Sequence, residues 1–228
     1  TCALPISTAG MVGVIAASHI IESLGLTQLG TVMDERFPAV ALIQNEVPRH
    51  PVRVYQGNGI GVFTAEIQFE KEQDIAFGST VLEWFTAGGF EQLIIIDGIL
   101  KPEKEVQGEG LFAVGASSVA RNRLKEMDLQ TIQRGIVSGI TGFLLSEGDR
   151  LNLDITALLS EASPMYPDVR AAAVAIEAIT EMTGVDIPLS KMLENAREIE
   201  HSVQDIIQNS TPLLPSPDDD VENDPSFG

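Results

Sequence analysis

The sequence predicts an α/β fold, and two observations carry this prediction. Before Lys71 the chain is rich in β-forming runs broken by proline and glycine, whereas after it helical and strand patterns alternate. Residues 93–96, Leu-Ile-Ile-Ile, are apolar without alternation, which is typical of a strand covered on both faces. A chain of 228 residues that is 44% hydrophobic suits one globular domain with at most an appendage.

The first element is a glycine turn, Gly10-Met11-Val12-Gly13, which leads into an apolar helix and would normally follow a buried strand. Residues 1–7 resemble the translated end of a common sequencing-library adapter, ACG TGT GCT CTT CCG ATC T. We therefore predict that residues 1–7 are not native and that the first strand is missing. The alternative is that Leu4-Pro5-Ile6 is the stub of a genuine strand that enters the turn.

The β-rich region that follows reads as a series of short strands. They are predicted at residues 28–34, 37–45, 52–56 and 59–68, with a hairpin turn at Gly57-Asn58-Gly59. A helix is predicted to begin at Lys71 and to end at Gly88-Gly89, with Ile75, Leu82 and Phe85 on one side.

The alternation of strands and helices continues towards the C-terminal end. Strands are predicted at residues 93–96, 111–114 and 154–159, a helix at 117–127, and a glycine-spaced segment at 135–142. Pro167 opens an alanine-rich helix that ends before Gly184, with proline in the first turn and glycine after the last. The predicted α/β domain is therefore residues 8–185.

A final helix is predicted over residues 186–209, with the spacing of a coiled-coil seam. Its apolar residues recur at intervals of three and four and are Leu189, Met192, Ala196, Ile199, Val203 and Ile206. Two interpretations stay open: the seam binds a second copy or another partner, or the helix packs on its own domain. Residues 210–228 read as a flexible acidic tail.

Charge and residue usage limit the classes of function. The chain has 14 Lys and Arg against 33 Asp and Glu, a net charge of −19, which argues against nucleic acid and anionic membranes and fits a basic protein partner. No apolar run has the length of a transmembrane helix, so we predict a cytoplasmic protein. The single cysteine is Cys2, and His19, His50 and His201 have no metal-ligand spacing, so we expect neither a metal nor a cofactor.

Glycines gather where the predicted strands end, which is where open α/β sheets bind ligands. The candidate crevice residues are Gly10, Gly13, Asp97, Gly98, Gly115, Gly139 and Gly142. The glycine turn lacks the third glycine of a dinucleotide fingerprint and the lysine of a phosphate loop. Close packing of helix on strand is the interpretation that we favour for these glycines.

Catalytic groups are scarce in the sequence. Asp97 at the end of a buried strand could act as a general base, but an Asp followed by Gly is as often a turn residue. Ser18 and His19 are neighbours on a helix and point about 100° apart, so they do not form a nucleophile and base pair. We predict no catalytic residues.

Several segments resemble the archaeal branch of the proteasome assembly chaperone family, over residues 8–208. They are Gly10-Met-Val-Gly13, Phe37-Pro-Ala-Val40, Pro51-Val-Arg-Val-Tyr55, the block Gly135, Gly139 and Gly142, and Tyr166-Pro-Asp-Val-Arg-Ala-Ala172. The resemblance implies a three-layer α/β/α sandwich with a mixed sheet, similar to nucleoside phosphorylases, followed by a C-terminal helix and an acidic tail.

The resemblance also implies a function. Members of the family are non-enzymatic, assemble into oligomers and assist proteasome core-particle assembly, so proteasome α-subunits and a homo-oligomer are the expected partners. The alternative from another class is a phosphorylase-like or small-ligand-binding enzyme that uses the glycine-lined crevice with Asp97 or His19. Because no arginine lies near the glycine turn in sequence, a phosphate site would need Arg53 or Arg121 to arrive through folding.

Overall fold

The structure is a computed structural model that describes residues 1–5, 9–37, 39–44, 46–67, 69–100, 110–163 and 166–194. Its strands are β1 (Cys2–Pro5), β2 (Thr27–Thr31), β3 (Leu42–Gln44), β4 (Val47–Arg49), β5 (Val52–Gly57), β6 (Ile60–Ala65), β7 (Leu93–Leu100), β8 (Leu111–Gly115), β9 (Gln130–Thr131) and β10 (Ile155–Ala162). Its α-helices are α1 (Val12–Ser23), α2 (Asp74–Ala87), α3 (Ser118–Glu126), α4 (Gly139–Leu151) and α5 (Val169–Thr183). One compact unit comprises Thr1–Ala196.

Eight of these strands form one mixed sheet in the order β2-β5-β6-β1-β7-β10-β8-β9, and β3 and β4 form a separate hairpin. The four central strands β6, β1, β7 and β10 are parallel to one another. The outer strands β5 and β8 run antiparallel to their inner neighbours β6 and β10. The mixed sheet predicted from the sequence is therefore confirmed.

Helices cover both faces of this sheet. On one face Ile94 and Ile96 of β7 pack in a core with α1 and α5, while on the other Leu93 and Ile95 pack in a core with α2 and α4. All four β7 side chains are fully buried, which explains why this strand is apolar without alternation. The three-layer α/β/α sandwich is confirmed.

The strand position before the glycine turn is occupied, whereas the sequence analysis predicts it to be missing. Cys2–Pro5 lie between β6 and β7, and Cys2 is paired with Gly61 on one side and Leu93 on the other. Backbone hydrogen bonds join Cys2 N to Gln92 O at 2.9 Å and Gly61 N to Thr1 O at 2.9 Å. These residues therefore act as a central strand of the sheet, as the alternative interpretation proposed. The adapter origin of their codons stays a prediction.

Two local predictions have different outcomes. The hairpin turn is found between β5 and β6, where Asn58 and Gly59 have φ values of 51° and 75°, as a two-residue turn of the favoured hand requires. On the helix side that carries Ile75, Leu82 and Phe85, the side chains of Leu82 and Phe85 are buried, whereas Ile75 is 64% exposed. Ile75 lies in the first turn of α2, on the same side as Leu82.

The segment after α5 packs back on the core of the domain, and the predicted boundary at residue 185 stays a prediction. Ile187 and Met192 are buried in the core beside α1 and α5, and Leu189 packs against it. The His19 ring Nε2 donates to the Pro188 carbonyl at 2.8 Å, which ties the segment to α1. Residues 190–194 are helical.

Met192 is therefore a core residue, and Leu189 is partly buried against the core. The other predicted seam residues Ala196, Ile199, Val203 and Ile206, most of the predicted helix over residues 186–209, and the tail over 210–228 lie outside the described residues. In the part of the chain that the structure describes, no helix has the length and apolar character needed to cross a membrane.

The thiol of Cys2 is a direct probe of the central strand. The side chain is fully buried, and burial raises the pKa of this thiol well above its ordinary value. Because thiolate is the reactive species, we expect a thiol reagent at pH 8 to label Cys2 in the native protein at least about a hundredfold more slowly than an exposed cysteine. The rate is measured with a chromogenic disulfide.

The matched control is the double variant Cys2→Ala, Ser118→Cys, whose new thiol lies at an exposed position at the start of α3. Both proteins should react at similar rates in concentrated guanidinium chloride. Equal rates under native conditions would contradict the placement of residues 2–5 inside the sheet.

Candidate functional site

The glycine turn is packed into the end of the sheet. Gly10 has a φ of 63°, and a Cβ there would lie 2.7 Å from the Ala162 Cβ at the end of β10. A Cβ at Gly98 would lie 2.1 Å from the carbonyl oxygen of Ala9, so β7 and the turn are in backbone contact. Both positions require glycine for close approach, and the space that they leave is filled by protein.

Asp168 joins this turn to the last helix. Its backbone N–H donates to Gly10 O at 2.8 Å, and its carboxylate accepts from Ala171 N at 3.0 Å as the cap of α5. The same carboxylate accepts from Ser163 N at 3.1 Å, just after β10. Asp168 belongs to the Tyr166-Pro-Asp segment singled out in the sequence, and its contacts give that segment a structural role.

A groove of about 550 Å³ lies beside this junction, at the carboxyl end of β7 and on the face covered by α2 and α4. We call it the β7 groove. Its polar walls are Asp74 at the start of α2, Asp97 and Gly98 in β7, and Ser138 and Thr141 at the start of α4. Its apolar lining includes Phe69, Ile99, Ile132, Ile136, Val137 and Leu159.

Two carboxylates of the β7 groove have different surroundings. Asp97 accepts from the Thr141 hydroxyl at 2.8 Å and from the backbone N–H of Gly98 at 2.8 Å, so its position is fixed. For Asp74, burial raises the pKa of the carboxyl above its ordinary value and the neighbouring Glu72 adds to this, while Lys71 opposes it by less. The charged form of Asp74 is therefore under-compensated in this structure.

The predicted crevice residues separate into two groups. Asp97, Gly98 and Gly139 line the β7 groove. The other four, Gly10, Gly13, Gly115 and Gly142, do not line it. Gly10 packs on β10, and Gly13 is buried in α1. A Cβ at Gly115 would lie 2.7 Å from Arg121 N, and a Cβ at Gly142 would lie 2.2 Å from Val137 O.

Sequence reasoning missed Asp74, Thr141 and Ile136 as site residues. The sequence around Asp74 does not indicate a binding site, because carboxylates are common in the first turn of a helix, where they interact favourably with the helix dipole. Thr141 and Ile136 lie in the glycine-spaced block 135–142, which marked the region without marking these side chains. Ile136 is 97% exposed, which only the structure reveals.

Asp97, which was considered as a general base, lines the β7 groove, whereas the other groups considered for catalysis or phosphate binding lie elsewhere. His19 is hydrogen-bonded to Pro188 on the opposite face of the sheet. Arg53 is paired with Glu66, and Arg121 donates to the carbonyl of Ala116 at 2.6 Å. Among the residues that the structure describes, the lining of the β7 groove contains two carboxylates and no Arg, Lys or His, and no cluster of metal ligands occurs.

The fold and this site define a class of protein: a three-layer α/β/α domain with an acidic, apolar-walled groove at the end of its sheet. The chain belongs to the PAC2 family, whose model matches residues 3–207. The match begins inside β1, five residues before the region over which the sequence itself suggested the resemblance.

Solved structures and a curated relative are similar to this chain. PbaA of Pyrococcus furiosus, described as an archaeal homolog of proteasome-assembly chaperone, is 24% identical with a TM-score of 0.85 over 91% of this chain and 87% of that chain. PbaB of Pyrococcus furiosus, described as an archaeal proteasome activator, is 21% identical with a TM-score of 0.77 over 90% and 92%. An uncharacterized protein of Methanocaldococcus jannaschii is 21% identical over 205 residues, which are 90% of this chain and 84% of that protein.

The contact between Gly98 and Ala9 predicts a specific loss of stability. A methyl group at position 98 would meet backbone atoms, which yield less easily than a flexible side chain. We expect Gly98→Ala to lower the free energy of unfolding by about 2–3 kcal/mol, as for overpacked core positions. Denaturant unfolding measures the change.

Gly30→Ala is the matched control, because Gly30 lies in a strand with open space around its Cα and no positive φ. This variant should remain within about 0.5 kcal/mol of the native chain, as surface substitutions usually do. A Gly98→Ala protein as stable as the Gly30→Ala protein would argue against the close approach of β7 and the glycine turn.

Proposed function

We propose that this protein is a non-enzymatic, chaperone-like protein that assists proteasome core-particle assembly by binding α-subunits. The observation that carries the proposal is membership of the PAC2 family over residues 3–207, together with the likeness of fold to PbaA and PbaB. The proposal extends to this chain the link to the proteasome that the descriptions of PbaA and PbaB state for those two proteins.

The geometry of the β7 groove supports binding over catalysis. The groove is open and exposes Ile136 almost completely, with Ile75 exposed in the adjoining first turn of α2. Exposed apolar side chains around a cleft are typical of surfaces that bind another macromolecule. Asp97 accepts hydrogen bonds from the Thr141 hydroxyl and the Gly98 amide, which hold its carboxylate in place at the groove.

We also propose that the protein forms a homo-oligomer through the later part of the predicted C-terminal helix. Since Met192 is buried in the domain core and Leu189 packs against it, the positions that we assign to a partner are Ala196, Ile199, Val203 and Ile206. Their spacing of three and four residues favours association with a second helix.

The proposed function predicts that the purified protein retains proteasome α-subunits from its own organism in a pull-down. Apolar contacts should preserve the complex at moderate salt, whereas binding by surface charge alone would weaken. An unrelated protein of similar net charge is the control. Failure to retain α-subunits, together with a thermal shift on adding nucleosides or phosphate, would instead support a small-ligand enzyme.

The proposed oligomer predicts a specific effect of Ile199→Asp. A charge in an apolar seam opposes helix association, so the mass measured by light scattering should fall to that of a smaller species. Gln204→Asp adds the same charge off the seam and should leave the mass unchanged. An unchanged mass with a lower thermal midpoint for Ile199→Asp would mean that the helix packs only within its own chain.

A further inference from the structure

The β7 groove combines an apolar wall with a negative one. Ile99, Ile136 and Val137 contribute the apolar wall, and Asp74 and Asp97 are its only charged lining residues among those the structure describes. A site of this composition suits an occupant with a positive centre and apolar flanks, since burial of an unpaired carboxylate by a purely apolar occupant would be costly.

Asp74 is the carboxylate with room for a new partner. Its carboxylate has no salt bridge or hydrogen bond to another described residue, and its neighbour Glu72 is also an acid. The raised pKa of its carboxyl has the same origin, burial without a compensating cation. A cation placed in the groove would provide the compensation that Lys71 provides only in small part.

Asp97 supplies a second, fixed negative centre. Its two oxygens are oriented by Thr141 and by the Gly98 amide, each at 2.8 Å. The α4 helix begins at Gly139 beside it, and the positive end of a helix alone would favour an anion. Two carboxylates facing the same groove outweigh that partial charge, which is equivalent to roughly half an elementary charge.

The apolar wall indicates that the occupant is larger than a free cation. Ile136 is 97% exposed, although an isoleucine side chain gains free energy on burial. The volume of about 550 Å³ accommodates a long side chain and parts of its neighbours. The net charge of −19 further favours a partner whose contacting surface is basic.

We propose that the β7 groove binds a lysine or arginine side chain, flanked by apolar residues, from a segment of a partner protein. This proposal rests on the proposed function in that the occupant belongs to a protein. It adds the chemistry that the partner segment must present: a cation that reaches Asp74 and Asp97, and an apolar side chain that covers Ile136.

The test uses the full chain and a library of immobilised heptapeptides with a fixed central residue: lysine, arginine, norleucine or glutamate. We expect the lysine and arginine pools to bind about tenfold more tightly than the norleucine pool, the size of one charge-assisted contact. Asp74→Asn should remove most of this preference. Ile136→Ser should weaken the selection of apolar flanking residues while keeping the preference for a cation.

Two control variants match these changes away from the groove. Asp149→Asn removes one exposed carboxylate elsewhere on α4, and Val119→Ser removes one exposed apolar side chain on α3. Neither should change peptide selection. Asp97 is left intact because its hydrogen bonds hold the groove together, and thermal midpoints of all variants verify that each is folded.

The proposal is overturned by equal binding of the lysine and norleucine pools, by selection of glutamate, or by an Asp74→Asn protein that selects peptides as Asp149→Asn does. The outcome is independent of the α-subunit pull-down. Retained α-subunits without cation selection would leave the proposed function standing and remove this site from it. Cation selection without retained α-subunits would support the groove and point to a different partner.

Discussion

The whole sandwich depends on a four-residue strand, because β1 is the only link between the two halves of the described sheet. On one side lie β2, β5 and β6, and on the other β7, β10, β8 and β9. The glycine turn follows β1 and contacts the backbone of β7 at Gly98. The position of β1 therefore also constrains the position of β7 near Gly98. Because Asp97 directly precedes Gly98 in β7, the position of a strand in the core determines the geometry of the groove.

Much of the fold could be predicted from local sequence patterns. The parts that could not be predicted have one cause in common: they depend on contacts between residues far apart in the sequence. The apolar run at residues 93–96, the Asn58-Gly59 turn and the helix ending at Gly184 each follow from short-range chemistry. β1 has only four residues, and one of them is a proline. The strands that pair with it, β6 and β7, lie about 60 and 90 positions away, so a local sequence pattern does not predict this strand. The groove likewise pairs Asp97 with Thr141, 44 positions apart.

The glycines illustrate a second limit of sequence reasoning. A glycine at the end of a strand signals that something comes close to the backbone, but that neighbour can be a ligand or another part of the chain. At Gly10, Gly98 and Gly115 the neighbour is protein, and at Gly139 it is the open groove. The family resemblance predicted the correct fold. The location of the groove, however, depends on which glycines have open space beside them, and the sequence does not show this.

The two edges of the sheet bear on how such a protein behaves at high concentration. The edge strand β2 has an irregularity in its register between Gln28 and Gly30, and the opposite edge, β9, is only two residues long. Short or irregular edges are poor templates for strands of another chain. The described edges of this sheet therefore disfavour the growth of continuous intermolecular sheets, even where copies of the chain are crowded together.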